Sequence, residues 1–180
     1  MLKLHCRTQL FRGENMFKKG DFVVNTNNGI CEINDIVTMN MSGIDKEYYL
    51  LIPVAEQTAK VYVPIDLAAQ RIRHAMSKDE ALSLIEDIKN INETYIENEK
   101  EREKTYKDAL NSREPKRLVG IIKTLYLRKQ ERVEAGKKNT AVDERYFKLA
   151  ENHLHTELAF ALQVNKEKVQ EMILDTIQQN

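Results

Sequence analysis

The chain has no tryptophan, only two cysteines and three prolines, and no net charge. Cys6 and Cys31 are too few and too unpatterned for a disulfide framework, and Cys31, inside an apolar run, reads as a buried thiol. No apolar stretch approaches the ~20 residues that span a bilayer. Residues 1–15 carry no continuous apolar segment with a small-residue cleavage site after it. The expectation is a cytoplasmic protein. Also missing are a glycine-rich phosphate loop, a nucleophile elbow and a thiol pair at metal spacing. His153 and His155, two apart on a helix, point to different faces, whereas zinc-binding helices space their histidines by four. They read as surface groups. Glu97, Glu99, Glu101 and Glu103 alternate with Asn98, Lys100, Arg102 and Lys104, the pattern of a solvated helix rather than of a tuned acid–base pair. Catalysis, a cofactor and a metal are therefore not expected.

What the chain does hold is a charge split that its neutral total hides. Lys and Arg number 28, as do Asp and Glu. Residues 100–148 nevertheless carry fifteen basic against eight acidic side chains, a surplus of seven. Residues 77–99 carry two basic against seven acidic ones, a deficit of five. The basic stretch is helical in pattern, so it offers a surface to a polyanion. Arg128, Lys129 and Arg132, with Lys137 and Lys138 beyond, are offset nearby only by Glu131 and Glu134. Such a surplus implies weak binding at physiological salt. No base-reading motif stands out, so sequence-specific readout is not expected. The alternative is a solvated helical face with pairs such as Glu103 to Lys107, each worth ~0.3–0.5 kcal/mol.

Along the chain, residues 1–15 lack periodicity and read as a disordered extension or an upstream start, with the pattern becoming crisp from Met16. Runs at 22–24, 30–37, 48–54 and 60–64 are rich in Val, Ile and Tyr and read as strands. Asn28-Gly29 signals a two-residue hairpin, and Met41-Ser42-Gly43 a second turn. Four or five closely spaced strands suggest a meander curling into a small barrel, with an edge free to pair with another protein's strand. Of Tyr48 and Tyr49, alternation leaves one exposed or edge-lying, and it puts Tyr62 on the face opposite Val61 and Val63. Beyond Arg73 the period turns helical. Ser77 and Glu80 form a capping box, residues 93–111 read as one polar helix, Pro115 opens the next, and Gly136 ends it. Thr140 starts a long helix and Asn165 a last short one. The fold class is α+β: a small antiparallel barrel followed by a bundle of about five helices. The units run over 16–74 and 75–180.

These residues resemble a known family. Phe17-Lys18-Lys19-Gly20-Asp21-Phe22-Val23-Val24, Asn28-Gly29-Ile30-Cys31-Glu32-Ile33, Glu47-Tyr48-Tyr49-Leu50-Leu51 and Val61-Tyr62-Val63-Pro64 are similar, in that order, to the CarD-like family of bacterial transcription regulators. The likeness continues through Tyr106-Lys107, Lys129-Gln130-Glu131-Arg132 and Asp143-Glu144-Arg145. It implies a Tudor-like N-terminal barrel that adds its edge to the β subunit of RNA polymerase, with Met39 and Tyr62 facing that partner. It also implies a helical domain that contacts promoter DNA at the upstream edge of the melted region, with Lys107 and Arg145 at basic, DNA-facing positions. Well-studied members insert a tryptophan at the fork. The corresponding position here falls near Arg102, so electrostatic contact replaces a stacking wedge. Lys104 and Arg128 complete the expected phosphate-contacting set. The partners implied are the polymerase β subunit and promoter DNA, engaged by a monomer. The rival reading is a protein–protein adaptor that uses the barrel and never touches DNA.

Overall fold

A computed structural model of the chain describes residues 17–41, 43–96, 98–112 and 114–178. The extension expected over 1–15, with Cys6, and the expectations resting on Ser42 and Glu97 lie outside these residues. The architecture is α+β, with a five-stranded antiparallel sheet and six α-helices. The strands are β1 (Phe22–Asn25), β2 (Gly29–Met41), β3 (Ile44–Pro53), β4 (Val61–Pro64) and β5 (Ile72–His74). The helices are α1 (Ala68–Arg71), α2 (Lys78–Asp87), α3 (Arg102–Asn111), α4 (Pro115–Glu134), α5 (Ala141–Leu162) and α6 (Lys166–Gln178).

The sheet order is β4-β3-β2-β1-β5, so β4 and β5 are its edges and no ladder between described residues joins them. The expected closed barrel is thus an open sheet. A 3₁₀ turn at Ile65–Leu67 and α1 occupy the stretch between β4 and β5. Ala68 and Ile72 enter the core there, packing with Phe17, Val23, Cys31, Ile33, Tyr49, Leu51 and Val63. The β1–β2 connection also differs from the two-residue hairpin. Asn25 pairs with Gly29 across a three-residue turn, the Asn25 side chain accepting the N–H groups of Asn27 and Asn28 at 3.1 and 3.2 Å. Gly29 closes it at φ +68°, a conformation that only glycine adopts freely. Tyr48 and Tyr49 are both buried and lie on an interior strand, against the expectation that one is exposed or edge-lying. Tyr49 meets Phe17 edge-on at 5.8 Å within the core. Tyr48, on the reverse face, has Val37 and Pro64 directly opposite on the two neighbouring strands.

The helix starts follow their sequence signals. Ser77 and Glu80 exchange both bonds of a capping box. Pro115 opens α4, Thr140 Oγ1 accepts Asp143 N–H at 3.0 Å, and Asn165 Oδ1 accepts Lys168 N–H at 2.8 Å. The expected helix over 93–111 is helical only from residue 99, as a 3₁₀ turn at Glu99–Glu101 leading into α3. Before that, the backbone at Thr94 is drawn onto α4. Its N–H reaches Thr124 Oγ1 at 2.8 Å and the Gly120 carbonyl at 3.2 Å. A Cβ on Gly120 would stand 2.9 Å from Thr94 Oγ1 and 3.1 Å from the Asn92 carbonyl, so only glycine admits the strand of chain there.

Two helical cores follow. One joins α2, α4, α5 and α6 through Leu84, Ile85, Val119, Leu154, Leu158 and Val169. The other joins α3, α4 and α5 through Tyr106, Leu118, Ile121, Leu125, Tyr146 and Ala150. The sheet meets the helices at a polar seam. Arg73 on β5 donates twice to Glu157 on α5, at 2.5 and 2.6 Å, and Met76 N–H donates to the same carboxylate at 3.1 Å. Phe22 packs on Phe160 beside it, ring centroids 4.9 Å apart.

Candidate protein and nucleic-acid interfaces

The first candidate surface is the β4 edge and the sheet face behind it. Tyr62 lies opposite Leu50, and Met39 opposite Lys46. Lys46, Tyr48 and Leu50 alternate along β3 on one face, so Met39 and Tyr62 share the face that points away from the core. Val63 is buried and Tyr62 is 41% exposed, as the alternation of the sequence requires. Lys46 holds Asp66 at 2.9 Å, tying the β3 face to the turn after β4. β4 pairs with residues 48–51 of β3 and leaves its other side without a strand. Pro64 shortens that edge by one donor. Ile44 adds a largely exposed apolar side chain at the far end of the same face. The arrangement suits the addition of a partner strand flanked by side-chain contacts.

The second candidate surface is the basic part of α3, α4 and α5, where the cations expected to meet DNA divide into two kinds. Arg102 and Arg128 turn inward to Asp143, which is fully buried in the first turn of α5. The Tyr106 hydroxyl donates to Asp143 Oδ1 at 2.9 Å, while the two guanidinium Nε atoms stand 3.6 and 3.7 Å from its oxygens. Burial, with the Asp143 carboxylate next, pushes the Tyr106 phenol far up. Arg128 also grips Glu99 with two bonds at 2.6 and 3.0 Å, which holds Glu99 below the usual carboxylate range and raises the guanidinium further. These two arginines are half-buried braces between α3, α4 and α5.

Arg145 and Lys107 lie further out but share one carboxylate. Glu103 accepts from Arg145 at 2.9 Å and from the Tyr146 hydroxyl at 3.0 Å, and Lys107 stands 3.3 Å away. The Tyr146 bond, then Lys107, lowers the Glu103 pKa. Arg145 also lies over the Tyr146 ring at 4.7 Å. Lys104 is exposed and makes no ion pair with a described residue. The structure therefore brings Arg102 and Arg128 together, sets Lys107 and Arg145 around Glu103, and leaves Lys104 without an ion pair among the described residues. Sequence reasoning named the Glu103–Lys107 pair, which is present, but missed Asp143 and Glu99 as partners and Glu103 as the partner of Arg145. They lie 15 to 42 residues from these arginines, beyond any helical spacing rule.

The remaining chemistry is sparse. His155 is buried and His153 half-buried, not surface groups as expected, and desolvation lowers the pKa of each. α5 lies between the sheet and the other helices, so both of its flanks are covered. Burial pushes the Cys31 thiol up to about 11, away from the reactive thiolate. Among the described residues no group of three or more His, Cys, Asp or Glu is placed to hold a metal ion, and no helix is long and apolar enough to cross a membrane.

A search of curated proteins returned no match to the chain. A scan against family models matched residues 17–76, a third of the chain, to the CarD-like/TRCF RID domain. The matched stretch takes in all five strands and ends just after β5, so the free β4 edge and the Tyr62 face lie inside it. That family comprises RNA polymerase-interacting, non-catalytic domains. By the order of its motifs, its sheet and this match, residues 17–76 of the chain form a CarD-like/TRCF RID domain, an RNA polymerase-interacting domain.

Proposed function

We propose that the chain is a non-catalytic bacterial transcription regulator that docks on the β subunit of RNA polymerase and presents its helical part to promoter DNA. In this reading residues 16–74 form the docking unit, an open form of the Tudor-like barrel, and residues 75–180 the DNA-facing unit. The molecule acts in the cytoplasm as a monomer. The free β4 edge adds to a strand of β, with Tyr62 and Met39 flanking the added strand. The observation that carries the proposal is the family match over a sheet whose edge strand is open and bears an exposed tyrosine.

Once docked, the helical unit lies close to DNA at the upstream edge of the transcription bubble. Tethering raises its effective concentration, so a weak electrostatic contact suffices to alter the lifetime of the open complex. Lys104 faces phosphates directly, and Lys107 and Arg145 do so on leaving Glu103. Arg102 and Arg128 keep the helices in register and reach DNA by exchanging Asp143 and Glu99 for a phosphate. The resulting bond is to backbone, which gives shape preference rather than base readout. Co-purification with an isolated β lobe tests the docking half of the proposal, and the lifetime of promoter complexes over a salt series tests the other.

The second reading, an adaptor without DNA contact, draws support from the ion pairs that Arg102, Arg128 and Arg145 make within the chain. The salt series separates the two, because phosphate contacts impose a slope on log affinity against log salt and an adaptor does not.

A further inference from the structure

Four of the cations without an ion pair among the described residues gather at one place, the end of α4 and the turn into α5. Gly136 adopts φ +68° there, and the turn closes with two backbone bonds, Gly136 N–H to the Val133 carbonyl at 2.9 Å and Lys137 N–H to the Arg132 carbonyl at 2.8 Å. This double bond with a left-handed glycine is a Schellman stop. Arg132 Nε then donates to the Lys138 carbonyl at 2.9 Å, folding residues 137 and 138 back beside the helix. Lys129 and Arg132, three residues apart, share a face of α4. Glu131 and Glu134 fall about 100–160° round the helix from them at ~100° per residue. Across the turn, Glu144 of α5 feels the charge of Lys129, but its carboxylate is taken by Lys148 at 3.0 Å. Lys129, Arg132, Lys137 and Lys138 make no ion pair among the described residues.

The geometry points to this turn as the principal phosphate-binding element of the helical unit, engaging the backbone of duplex DNA with Lys129, Arg132, Lys137 and Lys138. The inference rests on the DNA-contacting reading above and deepens it. A fixed turn presents two lysine ammonium groups and a guanidinium without first having to break an internal pair, whereas Arg102, Arg128 and Arg145 must each give up a carboxylate. Phosphate contact of this kind is independent of sequence and strongly dependent on salt. Cations at a helix C-terminus also favour the helix dipole, so a purely structural role predicts a loss of stability instead of a loss of binding.

The test is fluorescence anisotropy of a labelled duplex oligonucleotide with the full chain over a salt series, for wild type, Lys137→Glu/Lys138→Glu and Lys107→Glu/Arg145→Glu, with thermal melting of each. The turn variant is expected to melt as wild type does and to lower the slope of log affinity against log salt by about two, with roughly tenfold weaker binding at low salt. Restoring charge as Lys137→Arg/Lys138→Arg is expected to keep wild-type affinity. If wild type binds with a salt slope that only Lys107→Glu/Arg145→Glu reduces, the assignment to the turn is wrong while DNA contact stands. If wild type shows no salt-dependent binding, alone or in a polymerase–promoter complex, both fail together.

Discussion

Arg73, on the last strand, and Glu157, in the middle of α5, form a two-bond ion pair that spans 84 residues and joins sheet to helices, with Glu157 only 3% exposed. This seam fixes how the sheet is placed relative to the basic surface. A pair of this kind adds little net stability over well-packed apolar residues, but it is costly to break from one side only.

Truncating Glu157 to Ala strands the Arg73 guanidinium, whose side chain is 18% exposed, and orphans Met76 N–H. The expected loss is about 3–5 kcal/mol in urea unfolding. Arg73→Met/Glu157→Leu is expected to recover most of it, because both charges then leave together.

Asp143 has the corresponding role within the bundle. Asp143→Ala leaves the buried Nε atoms of Arg102 and Arg128 and the Tyr106 hydroxyl without their carboxylate, at an expected cost of about 3–5 kcal/mol. Tyr106→Phe removes one hydrogen bond and is expected to cost about 1–3 kcal/mol. Denaturant melts of the two variants check the ordering. Equal costs would show that the arginines are not held by Asp143.

Stability against pH is expected to fall in two stages on acidification. His153 and His155 have folded-state pKa values lowered by burial, so their contribution is complete above the unfolded value of 6.5 and is lost as pH drops below it toward the folded values. Glu99, lowered by its bonds to Arg128, holds its contribution above 4.5 and loses it as pH falls through its own folded value. Melting temperature measured across this range, with His153→Gln/His155→Gln expected to flatten the first stage alone, checks the assignment.

Punctuation was legible in the sequence because each signal is local. Ser77 with Glu80, Pro115, Gly136, Thr140 and Asn165 each satisfy or release backbone groups within a few residues, and each sits where the pattern puts it. The helix expected from 93 failed for a non-local reason: Thr94 finds its backbone partners on Gly120 and Thr124, nearly thirty residues on. Alternation placed Tyr62 correctly and put Tyr48 and Tyr49 on opposite faces, but not the cover that buries both, since period two sorts faces and cannot say what covers them. The cations were legible as a surplus and not as a surface. Which of them are free depends on Glu99, Glu103 and Asp143, and those pairings are set by how three helices pack.

The central claim is that the open β4 edge, with Tyr62 beside it, docks the polymerase β subunit. Titrating an isolated β lobe with the full chain, wild type against Tyr62→Glu, measures it most directly. Tyr62 is exposed and outside the core, so the variant is expected to melt as wild type does while its affinity for the lobe falls at least tenfold. Undiminished binding by a folded Tyr62→Glu protein would contradict the account.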